Sequence, residues 1–212
     1  MPEALLEQLF VARHNLLETL IKRVKKLGQT SSPHHTIIIG PRGAGKTHLI
    51  SLIYYHAKKI VSHESKTELR IAWLPEDPWN ICSYKRLLIE ILRATSPVPD
   101  LKDLPINELD ARLRHTCRTG GPILVLVENF DQILEAFGNI DQQRLRNLLQ
   151  TESNILLIAS TTRLDRNLSG HASPFFEYFD AIHARPRAPR RPAPLMQFIF
   201  SHSLPKMLDR CY

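Results

Sequence analysis

An eight-residue run between two regular segments constrains the fold of this chain more than any other feature. Residues 40–47 read Gly-Pro-Arg-Gly-Ala-Gly-Lys-Thr and match the pattern G-x-x-x-x-G-K-[ST] at every fixed position. The β-branched run 36–39 before it predicts a strand that is buried on both faces, and residues 46–61 after it predict a helix. A glycine-rich turn from a buried strand into a helix indicates an α/β protein with a parallel sheet.

The same run has the chemistry of a phosphate-binding loop. Glycines allow backbone conformations that expose successive N–H groups, and the N-terminus of the following helix adds its positive end. Lys46 is expected to bridge the β- and γ-phosphates, and the Thr47 hydroxyl is expected to bind Mg²⁺. The motif therefore predicts binding of ATP with Mg²⁺. The predicted nucleotide-binding residues of this run are Gly40, Pro41, Arg42, Gly43, Ala44, Gly45, Lys46, Thr47 and His48.

Strand and helix patterns alternate along most of the chain. Further strands are predicted at 69–74, 123–127 and 155–159, with a short fifth strand at 181–184. Helices are predicted over residues 16–24, 83–94 and 106–118, and near Ile133, Arg144 and Phe175. Alternation of this kind implies crossover connections, so we expect a three-layer αβα fold around a central parallel five-stranded sheet.

An acid follows the third predicted strand at once. Glu128 is placed to hold the magnesium water shell together with Thr47, and Asn129 stands where a catalytic carboxylate is often found. An amide orients water but cannot accept its proton, so Asp131 is the candidate substitute. The alternative for Asp131 is a cap on the helix that follows. Glu128, Asn129 and Asp131 are thus predicted catalytic residues, and Thr47 and Glu128 the metal ligands.

Hydroxyl side chains follow the fourth strand. Ser160 and Thr161 are predicted to reach the γ-phosphate or its attacking water, because ligands of open parallel sheets lie beyond the carboxyl ends of the strands. The alternative is a solvated junction, since loops favour small polar residues.

The net charge of +7 is unevenly distributed. Residues 185–212 hold six basic side chains and one acid, and 185–194 alone contain four prolines and four arginines. We expect residues 1–184 to form the folded domain and 185–212 a basic Pro/Arg-rich tail. Such a tail, together with the resemblance below, makes DNA a candidate partner. The chain has no apolar run long enough for a bilayer and no secretory signal, so we expect no membrane association and a cytoplasmic location.

Residues 8–184 resemble the AAA+ ATPases of the origin-recognition-complex-like branch and the related STAND ATPases. Residues 40–47 are similar to Walker A, Glu128-Asn129 to Walker B and Ser160-Thr161-Thr162 to sensor 1. Residues 9–17 resemble the F-V-G-R-E-x-x-L box, which implies that Val11 and Arg13 lie near the adenine. In this chain Walker B lacks its Asp-Glu pair, and the sequence after residue 184 does not resemble the helical lid. Arg163 and Arg166 are candidates for an arginine finger, the alternative being ordinary surface arginines.

The leading hypothesis is an ATP-binding switch or slow Mg-dependent ATPase that acts on an unidentified protein partner or through self-association. The alternatives are a binding-only nucleotide module without hydrolysis and a P-loop kinase for a small molecule. A GTPase is disfavoured because the sequence contains no Asn-Lys-x-Asp segment.

Overall fold

The structure, a computed structural model, describes residues 14–63, 68–74, 81–96, 101–163, 175 and 178–184. The helices among them are α1 His14–Lys26, α2 Lys46–His63, α3 Tyr84–Thr95, α4 Ile106–Thr119, α5 Phe130–Ala136 and α6 Asn139–Thr151. The strands are β1 Thr36–Ile39, β2 Arg70–Trp73, β3 Ile123–Val127, β4 Ile155–Thr161 and β5 Asp180–His183. None of the helices in this part of the chain has the length and apolar character needed to cross a bilayer.

The five strands form one parallel sheet in the order β2-β3-β4-β1-β5. β1 therefore lies between β4 and β5, and β4 separates it from β3. In register, Ile39 at the end of β1 pairs with Thr161 of β4 and with His183 of β5. The carboxyl ends of β1, β3 and β4 consequently meet at one edge of the sheet, where a parallel α/β sheet binds its ligands.

Side-chain alternation along the strands divides the core into two layers. In β3, Leu124 and Leu126 pack with α1 and α2, whereas Ile123, Val125 and Val127 pack with α3, α4, α5 and α6. All five residues of β3 and all seven of β4 are buried, as expected for strands covered by helices on both faces. The predicted αβα fold with a parallel five-stranded sheet is confirmed.

The prediction of a helix near Phe175 is wrong at that residue. Phe175 lies in a turn, where its carbonyl accepts a hydrogen bond from the Tyr178 N–H at 3.1 Å. Its ring is fully buried and packs edge-on against Phe130, with a centroid separation of 6.4 Å, and stacks on Phe179. Phe175 packs into the core from a turn, so burial of its ring does not require a helix. The predicted tail and missing lid, residues 185–212, lie outside the described residues.

Candidate phosphate-binding site

The loop from β1 to α2 is shaped by its glycines for two different reasons. Gly40 lacks space: a Cβ there would lie 2.7 Å from the Ala184 carbonyl oxygen and 3.0 Å from the Ala184 Cβ. Gly43 and Gly45 adopt φ of +76° and +79°, a region that L side chains rarely enter. Pro41, Arg42 and Gly43 form the exposed crest of the loop. Gly40 thus allows the loop to approach Ala184 just after β5, and Gly43 and Gly45 allow the chain to turn into α2.

Lys46, the first residue of α2, folds its side chain back over the loop. Its ammonium donates hydrogen bonds to the carbonyls of Gly40 at 2.6 Å and Pro41 at 3.0 Å. Partial burial lowers the pKa of Lys46, an effect that the nearby carboxylates of Asp131 and Glu128 oppose and the Arg42 cation reinforces. The ammonium is therefore held at the loop within the field of both acids.

Thr47 and Glu128 meet across the site although 81 positions separate them in sequence. The Thr47 hydroxyl, on the first turn of α2, donates a hydrogen bond to Glu128 Oε2 at the end of β3. Glu128 is buried, with 4% of its surface exposed. It follows Leu124 and Leu126 on the α2 side of the sheet, because strand residues two apart share a face. The structure thus brings together the two residues that the sequence predicts as metal ligands.

Asn129 has the left-handed conformation, with φ 51° and ψ 44°, and precedes α5. Asn tolerates this region better than most residues, so backbone geometry accounts for an amide at this position. The left-handed step turns the chain from β3 into α5 without a side-chain cap.

Asp131 does not cap α5, so that alternative is wrong. The carboxylate instead reaches the end of β4, where Oδ2 accepts hydrogen bonds from the Thr162 hydroxyl at 2.8 Å and from the Thr162 N–H at 3.4 Å. Its other oxygen, Oδ1, is the buried side-chain polar atom that has no hydrogen-bond partner within the described ranges. A buried oxygen without a partner costs free energy and calls for an explanation, such as a ligand or ordered water.

Ser160 and Thr161 lie on opposite faces of β4. Ser160 follows Ile158 on the α2 side and is buried, whereas Thr161 follows Ala159 on the other side. The Thr161 hydroxyl donates to the carbonyl of Arg163 at 2.8 Å. Thr162, one residue beyond the strand, is the hydroxyl that contacts Asp131. It belongs to the segment similar to sensor 1, but only Ser160 and Thr161 were predicted as site residues. The sequence signal for it was the carboxylate three residues after Glu128 together with a hydroxyl just after β4.

The remaining predicted site residues stay predictions. Val11, Arg13 and Arg166 lie outside the described residues. His48 is half-buried on the first turn of α2. Arg163 is 74% exposed, and its guanidinium lies 4.0 Å from the Glu135 carboxylate, a surface arrangement with little energetic weight.

The chain is similar in structure to origin-recognition proteins. It matches the Aeropyrum pernix ORC2 protein, solved in ADPNP–ADP complexes, with a TM-score of 0.66 at 17% identity over 82% of this chain and 48% of that one. It matches the Aeropyrum pernix ORC1 protein in complex with DNA with a TM-score of 0.66 at 14% identity over 85% and 47%. Drosophila ORC bound to DNA matches with a TM-score of 0.59 at 20% identity over 86% and 45%.

These matches confirm the sequence-based resemblance at the level of the fold: the chain shares the αβα fold of these origin-recognition proteins. The chain spans about half the length of the proteins it matches. No family model and no curated protein matches the sequence.

Proposed function

We propose that this chain binds Mg·ATP at the loop 40–47 and hydrolyses it slowly as a nucleotide-controlled switch. The observation that carries the proposal is the convergence of Lys46, Thr47 and Glu128 at the carboxyl edge of the sheet. The Lys46 ammonium now donates to two loop carbonyls, and phosphate oxygens would compete for the same donor. The start of α2 adds the positive end of an 18-residue helix.

The donor set suits magnesium. Mg²⁺ prefers oxygen ligands, keeps several waters and is commonly held by one or two protein groups together with substrate phosphates. The Thr47 hydroxyl and the Glu128 carboxylate are in direct contact, and the free Oδ1 of Asp131 belongs to the same cluster of acids around Lys46. Thr47 would bind the ion, which neutralises phosphate charge, and Glu128 would hold its water shell.

Hydrolysis requires a group that accepts a proton from the attacking water. Asn129 cannot do so, whereas Asp131 is a buried carboxylate with one oxygen uncommitted. We assign the base to Asp131, with Thr162 fixing its orientation through Oδ2. The alternative, a binding-only module, is supported by the amide of Asn129, which cannot accept a proton at the position where a catalytic carboxylate is often found.

Binding is tested by titrating a fluorescent ATP analogue against Lys46→Ala and, as a matched control on the same helix, Lys58→Ala. Lys58 is exposed and lies over the Tyr54 ring, away from the loop. We expect Lys46→Ala to weaken binding by about 100-fold, since two or more charge-assisted hydrogen bonds are lost. Equal affinity of the two variants, or no magnesium-dependent affinity in the wild type, would refute the proposal.

Turnover is tested by phosphate release from ATP with Asp131→Asn and Glu128→Gln. We expect Asp131→Asn to keep nucleotide binding and to lose about 100-fold or more in rate, the usual contribution of a general base. Glu128→Gln should weaken the magnesium dependence of binding as well. Tight binding without phosphate release in the wild type supports the binding-only module, and ADP formation that requires an added acceptor supports the kinase.

The proposed partner is a protein, or a second copy of this chain that supplies an arginine in trans. A specific rate that rises with protein concentration supports self-association, and a constant specific rate contradicts it.

A further inference from the structure

A groove runs between α1 and α2 on the outside of the molecule. Its volume is about 480 Å³, and it opens to solvent. Apolar side chains line its floor: Leu17 and Leu52 are buried, and Ile21 is half-buried. Lys22, Lys25 and the acid Glu18 line its side as exposed residues of α1, two cations with one anion. The groove therefore combines an apolar floor with a cationic margin.

Charge is distributed unequally between the two helical layers. α1 carries four basic residues and the single acid Glu18, and α2 carries three lysines and no acid. In the opposite layer, acids are numerous and are paired with arginines, as in Arg114 with Asp110 and Glu152. Among the described residues, no ion pair involves Lys22, Lys25 or Lys26, whereas Arg23 pairs with Asp180 at 2.8 Å. The exposed face of α1 beside the groove therefore has an excess of positive charge.

We propose that this groove binds an acidic amphipathic helix of a protein partner. A helix with apolar residues at i, i+3, i+4 and i+7 would place them on Leu17, Ile21 and Leu52, and its acidic flanks would meet Lys22 and Lys25. Nucleic acid is the competing occupant: its phosphates would satisfy the lysines, and a base could stack on His14 or His56. The aliphatic floor formed by Leu17, Ile21 and Leu52 favours the apolar side chains of a protein instead.

The position of the groove links this partner to the proposed nucleotide site. Leu52 and His56 line the groove on α2, about two and three turns beyond Lys46 at the start of the same helix. The site of the partner is nevertheless separate from Lys46, Thr47 and Glu128. The proposal extends the proposed function, and its test does not depend on ATP binding.

The test uses the full chain and a fluorescein-labelled synthetic peptide of about 18 residues, long enough to form a helix. The peptide carries Leu at i, i+3, i+4 and i+7 with Glu and Ala elsewhere. A second peptide has the same composition with the Leu positions scrambled. Anisotropy is measured against the wild type, Lys22→Glu/Lys25→Glu, and the charge-matched control Lys26→Glu/Lys102→Glu, whose residues are exposed and do not line the groove.

We expect the amphipathic peptide to bind saturably, and the groove variant to weaken binding at least about tenfold while the control variant changes it much less. Ile21→Asp should weaken binding too. Equal loss in both double variants, or equal binding of the scrambled peptide, would show attraction by net charge alone and overturn the proposal. Displacement of the peptide by a single-stranded oligonucleotide would also overturn it. An unchanged circular dichroism spectrum and an unchanged urea midpoint of the groove variant show that its fold is intact, so the outcome can be interpreted whether or not the nucleotide site binds ATP.

Discussion

His35, just before β1, joins three parts of the core through one ring. Nδ1 accepts a hydrogen bond from the Leu157 N–H of β4 at 3.1 Å, and Nε2 lies 3.1 Å from the Leu149 carbonyl of α6. Because Nδ1 is an acceptor, the neutral ring carries its proton on Nε2 and donates it to Leu149. The ring also stacks on Tyr178, with centroids 5.6 Å apart. Burial lowers the pKa of His35 from 6.5 to about 4.

Stability should therefore fall as the pH falls from neutral. Between pH 6.5 and 4 the unfolded chain binds a proton at residue 35 that the folded chain excludes, so His35 contributes stability above 6.5 that is lost toward 4. We expect the free energy of unfolding to drop by about 2 kcal/mol more between pH 7.5 and 5 in the wild type than in His35→Asn, measured by urea denaturation. His34→Asn, whose ring is 74% exposed, should keep the wild-type dependence. Parallel pH profiles for wild type and His35→Asn would contradict this.

Substitution of glycine by alanine should lower the free energy of unfolding by different amounts at Gly40 and Gly43. Gly40→Ala places a methyl 2.7 Å from a backbone oxygen and forces β5 or the loop to shift, which we expect to cost about 2 to 3 kcal/mol. Gly43→Ala meets no atom within 4 Å and carries only the penalty of its positive φ, about 1 kcal/mol. Urea denaturation of the two variants without nucleotide gives both values. Equal costs would show that Ala184 does not confine the loop.

Among the elements, α5 is connected to the end of β4 by the hydrogen bond that the Thr162 hydroxyl donates to Asp131. Thr162→Val removes the hydroxyl and leaves Oδ2 with the longer contact to the Thr162 N–H. We expect the free energy of unfolding to fall by about 1 to 2 kcal/mol, since the lost hydrogen bond is made to a carboxylate. Thr162→Ser keeps the hydroxyl and should cost much less. If Val and Ser variants unfold alike, the hydroxyl contact does not hold the two elements together.

The positions of the strands were predictable from the sequence because each buried strand is a short β-branched or aliphatic run next to turn residues. The order of the strands in the sheet was not predictable, because no local sequence feature indicates whether β3 or β4 is the neighbour of β1. The turn at Phe175 was missed because burial of aromatic rings is compatible with either a helix or a turn.

The candidate site was predictable where one motif fixes it. Lys46, Thr47 and Glu128 follow from a loop pattern and a strand ending in an acid, and the structure brings them together. The contact of Thr162 with Asp131 was not predictable, because choosing among the three neighbouring hydroxyls requires knowing at which residue β4 ends. Asp131 was identified, but its partner across the sheet edge depends on strand order.

At the scale of the whole molecule, charge suggests a role for the segment 185–212. Its six basic side chains and single acid are expected to attract DNA phosphates. Deleting 185–212 should reduce the slope of log affinity against log salt, measured by anisotropy with duplex DNA, because fewer counterions are released. A full-length chain in which four arginines, Arg185, Arg187, Arg190 and Arg191, are replaced by Gln should behave like the deletion. An unchanged slope in both would rule out this role.

Ala184, just after β5, touches Gly40, the first residue of the loop 40–47. The Ala184 N–H donates to the Ile39 carbonyl at 2.6 Å, and its own carbonyl bounds the space beside Gly40. A displacement of the loop at Gly40 would therefore push directly on Ala184, the residue from which the segment 185–212 continues. Conformational change in the loop and the path of the following chain are thus expected to be coupled through a single contact.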